Sequence, residues 1–133
     1  MLNYEAGRPL EFWTVYYERE LHLSVQEYLD VFDVITFWTW YGENLLDLRK
    51  NLDRVREDNP AKRLLAGCYM WDYGNGKPLT LERMRLQLDT YREYMHAGKL
   101  DGFIICSNCI ADVGIEEVEL TRAWLNEHGD EQL

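Results

Sequence analysis

The fold is decided by the stretch Arg63-Leu64-Leu65-Ala66-Gly67-Cys68-Tyr69-Met70-Trp71, which continues into Asp72-Tyr73 and, beyond a turn, into Thr80. The first part is almost wholly apolar, as in a parallel strand that is covered on both faces. Thr80 is a good N-cap for a helix, and the apolar stripe of that helix would be Leu81, Met84, Leu88, Tyr91 and Met95. The stretch therefore predicts one strand followed by one crossover helix.

The same arrangement occurs three more times along the chain. The other apolar runs end in Tyr16-Tyr17-Glu18-Arg19-Glu20, in Trp38-Thr39-Trp40-Tyr41, and in Cys106-Ser107-Asn108-Cys109 with Asp112 beyond. Parallel strands that are joined by crossover helices place their C-terminal ends at one edge of the sheet. We expect all four polar endings to meet at that edge, where α/β proteins place their sites.

Local signals divide the chain into four strands and four helices. The strands are predicted at Glu11 to Glu18, Asp33 to Trp40, Arg63 to Trp71 and Gly102 to Cys106. The helices are predicted after the capping box that begins at Ser24, from Glu43 or Asn44 to Asn59-Pro60, from Thr80 to Gly98, and from Gly114 or Ile115 to near Gly129.

The chain has 133 residues, which four βα units fill almost completely. A closed eight-unit barrel needs about 200 to 250 residues or more. We therefore predict one α/β domain over residues 1–133, a (βα)4 half of a TIM barrel with a parallel four-stranded sheet. Such a half-barrel would expose its inner face and two edges, so we expect homodimerisation to complete eight strands. A doubly wound sheet of four or five strands and a fragment of a longer barrel are the alternatives.

Charge and composition exclude several partners. The formal net charge is -10 and the pI is near 4.7, which argues against nucleic acid and anionic membranes as partners. The chain shows neither a signal peptide nor an apolar run of about 20 residues, and its three cysteines do not form an even disulfide set. We expect a soluble protein, cytoplasmic as given and extracytoplasmic if it was cut from a longer secreted chain.

Three stretches together resemble a known group of proteins. They are Leu65 to Pro78 (LAGCYMWDYGNGKP), Phe37-Trp38-Thr39-Trp40 and Gly102-Phe103-Ile104-Ile105. They resemble the C-terminal half of uncharacterised bacterial TIM-barrel proteins that are similar to glycoside hydrolases. The resemblance extends over nearly the whole chain and implies a carbohydrate-related role.

Carboxylates at the strand ends are the candidate catalytic residues. Glycoside hydrolysis needs two carboxyl groups about 5 to 9.5 Å apart, and we choose Glu18 or Glu20 together with Asp72. If the side of strand one that carries Thr14 and Tyr16 faces the barrel axis, both glutamates point into the site. The alternative is that these carboxylates cap helices or pair with Arg19, Lys77 or Arg63. Unlike retaining glycosidases of the largest TIM-barrel clan, the chain has no acid at the end of strand four.

Aromatic residues at the strand ends are the candidate ligand-binding residues. Sugar faces stack on aromatic rings while nearby polar groups bind the hydroxyls. The candidates are Trp38, Trp40, Trp71 and Tyr73, with Asn108 and Asp112 as polar partners. The alternative is that the rings only fill the barrel. We expect a small-molecule or oligosaccharide ligand and no cofactor.

The other motifs carry less information. Cys106 and Cys109 form a single C-x-x-C without a second metal-binding pair, so we expect free, buried cysteines and no metal site. The turn Gly74-Asn75-Gly76-Lys77 lacks the spacing of a phosphate loop, and we assign the three histidines no role. The leading hypothesis is a glycoside-hydrolase-like half-barrel with a carbohydrate-facing site. The alternatives are a non-catalytic assembly or binding domain and, with less support, an aldolase- or isomerase-like enzyme.

Overall fold

The computed structural model describes residues 7–106 and 109–132. In chain order, the elements are β1 (Trp13–Tyr17), a 3₁₀ helix (Glu18–Glu20), α1 (Gln26–Leu29), β2 (Val34–Trp38), a second 3₁₀ helix (Gly42–Asp47), α2 (Leu48–Asp58), β3 (Arg63–Tyr69), β4 (Trp71–Asp72), β5 (Lys77–Pro78), α3 (Leu81–His96), β6 (Gly102–Cys106) and α4 (Glu116–His128).

Four of the strands form one parallel sheet in the order β1-β2-β3-β6. The register pairs Tyr17 with Trp38, Phe37 with Ala66, and Tyr69 with Cys106. Every neighbouring pair is parallel, so the C-terminal ends of all four strands lie at one edge. The predicted α/β class, the four-stranded parallel sheet and the common edge are therefore confirmed.

The helices pack against one face of this sheet. Alternate strand residues, such as Phe37 and Ala66, are buried in a single cluster to which all four helices contribute. Side chains alternate between the two faces of a strand, so Tyr16 also lies on this helical face. The premise that Tyr16 faces a barrel axis is wrong, because its ring packs in the core with Phe37 at 5.9 Å.

The other face of the sheet is covered in the middle and open at one side. Trp38 lies over Gly67, and its indole Nε1 donates to Thr36 Oγ1 at 2.9 Å. At the β1 edge, Trp13 and Val15 are 48% and 54% exposed. This face would be the inner one if the sheet formed half of a barrel.

Two of the predicted helix boundaries are confirmed by their caps. Thr80 Oγ1 accepts a hydrogen bond from the backbone N–H of Arg83, and Gly98 follows α3 with φ of +66°. The Ser24 capping box was wrong: Val25 is the N-cap of α1, and no side chain caps it. The strands are also shorter than predicted, since β1 ends at Tyr17 and β3 at Tyr69.

The predicted loop from Asp72 to Pro78 contains a short antiparallel pairing. In this pairing Trp71 lies opposite Pro78 and Asp72 opposite Lys77. No helix in the described parts of the chain has the length and apolar character needed to cross a bilayer.

Candidate functional site

Glu18 fixes the loop that follows β2. Its Oε2 accepts the backbone N–H of Trp40 at 3.0 Å, and its Oε1 accepts Asn44 Nδ2 at 3.1 Å. The residue is buried, and a buried carboxylate needs such donors. Both carboxylate oxygens therefore already have partners inside the protein.

Glu20 has a local role at the same strand end. Glu18 to Glu20 form a 3₁₀ helix rather than an extension of β1, so strand alternation does not describe their directions. The Glu20 Oε2 accepts the backbone N–H of Tyr17 at 2.8 Å, which caps the start of this helix.

Asp72 organises the turn between β4 and β5. Its Oδ1 accepts the backbone N–H of Asn75 at 3.1 Å, and its Oδ2 accepts the Asn75 side-chain amide at 2.9 Å. A Cβ placed on Gly42 would lie 2.7 Å from Asp72 Oδ2, so this carboxylate packs closely against the backbone after β2. Asp72 is thus buried and bound on both oxygens.

Glu18 and Asp72 line two different cavities. Glu18 borders a groove of about 380 Å³ with Asn44 and Lys50, whereas Asp72 borders one of about 260 Å³ with Gly42 and Lys77. The loop after β2 is held between them, because Gly74 N–H also donates to the Trp40 carbonyl at 3.0 Å. Neither of these two cavities is lined by both carboxylates.

Five aromatic rings do meet at this edge. Trp40 and Tyr73 stack with ring centroids 5.4 Å apart and planes 28° apart. Tyr69 contacts Tyr73 at 4.6 Å and Trp38 at 4.7 Å, and Tyr17 contacts Trp40 at 5.8 Å. We call these residues, Tyr17, Trp38, Trp40, Tyr69 and Tyr73, the edge cluster. Four of them are half-buried, and Trp38 is buried.

Polar groups are interspersed with these rings. The Arg19 guanidinium carbon lies 5.0 Å from the Tyr17 ring centroid and 5.5 Å from that of Trp40, within cation–π range. The hydroxyls of Tyr17 and Tyr69 are hydrogen-bonded at 3.3 Å. The edge cluster therefore combines ring faces with a cation and several hydroxyls, a composition that suits a polar ligand with apolar faces.

Burial keeps two phenols of the edge cluster neutral. Desolvation raises the pKa of Tyr73 to about 12, with further contributions from the nearby Cys109 and Cys106 thiols. Desolvation also raises the pKa of Tyr69, as does its hydrogen bond with Tyr17. At neutral pH both hydroxyls can therefore donate hydrogen bonds to a ligand.

The remaining predicted residues are not among the rings of the edge cluster or lie outside the described residues. Trp71 is half-buried in β4, and among the described residues its ring contacts none of the cluster rings. Asp112 is exposed in the segment before α4. Asn108 lies outside the described residues. Of the four aromatic candidates, three are therefore brought together: Trp38, Trp40 and Tyr73.

The C-x-x-C cysteines differ from the prediction. Cys109 is exposed and Cys106 half-buried, so the expectation that both are buried was wrong. Cys109 Sγ lies 3.9 Å from the Tyr73 hydroxyl. Cys68 is the fully buried cysteine, and burial raises the pKa of its thiol. Within residues 7–106 and 109–132, no group of three or more His, Cys, Asp or Glu side chains could hold a metal ion.

Sequence reasoning placed Tyr17 and Arg19 at this edge of the sheet but did not name them, or Tyr69, as site residues. Tyr17 on β1 and Tyr69 on β3 lie on the same face of the sheet as Trp38, on the two strands that flank β2. This arrangement could have indicated that their rings lie close to that of Trp38. The obstacle was the wrong choice of inward face on strand one, which favoured Tyr16 and the glutamates.

These features define a parallel α/β domain with an aromatic cluster at the C-terminal edge of its sheet. No protein-family model matches the sequence, and no match was found among curated proteins or solved structures.

Proposed function

We propose that the edge cluster binds a carbohydrate, and that the domain acts by binding the sugar and not by cleaving it. The stacked pair of Trp40 and Tyr73 supports this proposal, because half-buried rings offer apolar faces to a sugar ring. Arg19 and the tyrosine hydroxyls provide hydrogen-bond donors around those faces. The resemblance to glycoside-hydrolase-like barrels is consistent with the same ligand class.

The bonding of the carboxylates favours binding over hydrolysis. A glycosidase needs one carboxyl to donate a proton and another to act as base or nucleophile on the same bond. The oxygens of Glu18 and Asp72 are engaged within the protein, and the two residues line separate cavities. We therefore propose structural roles for Glu18, Glu20 and Asp72 in shaping the loops around the edge cluster.

The binding proposal is tested with a panel of gluco-, xylo-, manno- and chito-oligosaccharides by calorimetric titration. We expect one class to bind, and Trp40→Ala to weaken its affinity about tenfold or more, as for a buried aromatic contact at an interface. Tyr28→Ala is the matched control, because Tyr28 is an exposed aromatic residue on α1 that does not belong to the edge cluster. An equal loss for both variants, or no binding by wild type, would contradict the proposal.

Hydrolysis is tested separately on the same panel. We expect wild-type protein to release no reducing ends from the sugar that it binds. The hydrolase hypothesis would be restored if purified wild type released reducing ends and the folded variants Asp72→Asn or Glu18→Gln did not.

We also propose that two copies form a homodimer that completes an eight-stranded TIM barrel. The exposed Trp13 and Val15 on the open face of β1 support this proposal, as do the unpaired outer edges of β1 and β6 within the described sheet. Light scattering coupled to size exclusion should give a dimer mass, and Val15→Lys should shift it to a monomer. Val31→Lys, at a similarly exposed valine after α1, should leave the dimer intact. A monomeric wild type at high concentration would contradict the proposal.

A further inference from the structure

A carboxylate-binding group of side chains lies far along the chain from the edge cluster. The Glu131 carboxylate accepts two hydrogen bonds from Arg92, at 2.7 Å from Nε and 2.9 Å from Nη2. His96 Nε2 lies 2.9 Å from Glu131 Oε2, and His128 Nδ1 lies 2.8 Å from Oε1. We call Arg92, His96 and His128 the basic triad.

The basic triad stands beside a cavity with apolar walls. The cavity has a volume of about 260 Å³ and lies between α3, β6 and α4. Arg92, His128 and Glu131 contribute its polar lining, and its apolar walls are Met95, Phe103, Trp124 and Leu125. Trp124 is held in place there, since its Nε1 donates to Asp89 Oδ1 at 2.9 Å and its ring contacts that of His128 at 4.9 Å.

The three side chains of the triad are arranged as a receptor for one carboxylate. A forked guanidinium that binds both oxygens, with one imidazole on each oxygen, matches the geometry of bidentate carboxylate recognition. In the folded chain this receptor binds Glu131. Glu131 lies three residues after His128, the last residue of α4. Freeing the triad therefore requires movement of Glu131 and of the residues that join it to the end of α4.

We propose that this cavity binds a small organic acid with an apolar body, whose carboxylate takes the place of Glu131 on the basic triad. The apolar body would lie against Phe103 and Trp124, and displacement of Glu131, which lines the cavity, would widen its mouth. The pKa of Arg92 is raised chiefly by its hydrogen bonds to Glu131 and further by the negative charges of Glu131, Asp89 and Glu127. The proposal is independent of carbohydrate binding at the edge cluster.

The test uses benzoate, acetate and benzyl alcohol as probes, titrated into wild type and Glu131→Gln and followed by calorimetry and by the indole NMR signal of Trp124. Without the competing carboxylate, Glu131→Gln should bind benzoate at least about tenfold more tightly than wild type does, because charge-assisted hydrogen bonds are the strong ones. Acetate and benzyl alcohol each lack one half of the ligand and should bind more weakly than benzoate.

Two further variants make the result specific. Arg92→Gln, placed in the Glu131→Gln background, should lower the benzoate affinity about tenfold or more. Arg49→Gln in the same background is the control, because Arg49 forms a comparable ion pair with Glu93 outside the cavity. If Glu131→Gln does not fold, wild type itself decides the matter: benzoate must perturb Trp124 and the backbone signals of residues 129–132. Equal affinities for acetate and benzoate, or no perturbation of Trp124, would overturn the proposal and leave Glu131 as a structural partner of the triad only.

Discussion

The indole ring of Trp38 occupies the space above Gly67 on the open face of the sheet. A Cβ on Gly67 would lie 1.9 Å from Cδ2 and Cε3 of Trp38, closer than any real contact. Because Gly67 on β3 has no side chain, there is room for the large side chain of Trp38 on the neighbouring strand β2. Trp38 in turn contacts Tyr69, so this pair sets the position of the edge cluster.

Replacing Gly67 with alanine should destabilise the protein. The added methyl group would force Trp38 off its present position, and overpacking of this kind costs about 1–3 kcal/mol. Chemical denaturation measures the change in the free energy of unfolding. In a Trp38→Ala background the same substitution should cost much less, and equal costs in the two backgrounds would contradict the packing account.

Replacing Glu18 with glutamine should lower stability by about 1–3 kcal/mol, because the charge-assisted hydrogen bonds from the Trp40 N–H and the Asn44 amide become neutral ones, and the Asn44 amide has to turn over to accept from the new NH2 group. Urea unfolding measures this change. Glu27→Gln is the control, since Glu27 is exposed in α1. A Glu18→Gln protein as stable as wild type would show that the bonds to Trp40 and Asn44 are not structural.

Replacing Glu131 with glutamine should lower the melting temperature at neutral pH and have a smaller effect in acid. Hydrogen bonds from Arg92, His96 and His128 hold the pKa of Glu131 far below its usual value of 4.5. A carboxyl with a depressed folded pKa stabilises the protein above its unfolded pKa, and this contribution is lost as the pH falls below about 4.5 toward the folded pKa. Melting curves from pH 7 to pH 2 should therefore converge for wild type and variant. Parallel curves would contradict the linkage.

Cys109 and Cys68 should react with iodoacetamide under different conditions. Cys109 is exposed and should be alkylated in the native protein, whereas Cys68 is fully buried with a raised thiol pKa and should react only on unfolding. Peptide mass spectrometry after native and denaturing labelling measures each site. Rapid native labelling of Cys68 would contradict the burial of β3.

The sequence was sufficient to predict the parallel sheet and several boundaries, because these depend on local signals. Thr80 and Gly98 terminate α3 by cap chemistry that a single residue type can reveal. The composition of the site was harder to predict, because it depends on which face of β1 the helices cover. If the two faces of β1 are assigned the wrong way round, Tyr16 is placed at the site in place of Tyr17. The 3₁₀ helix that begins at Glu18 ends the alternation of side chains between the two faces.

The central claim is that oligosaccharides bind at the edge cluster, and the five tryptophan indole N–H signals test it most directly. These signals are distributed over the molecule, with Trp38 and Trp40 in the cluster and Trp13 and Trp124 away from it. Titration of the oligosaccharide panel into ¹⁵N-labelled protein should shift the Trp40 signal and leave those of Trp13 and Trp124 in place. If no oligosaccharide moves the Trp40 signal of folded protein, or if the shifts are confined to Trp13 or Trp124, the claim is contradicted.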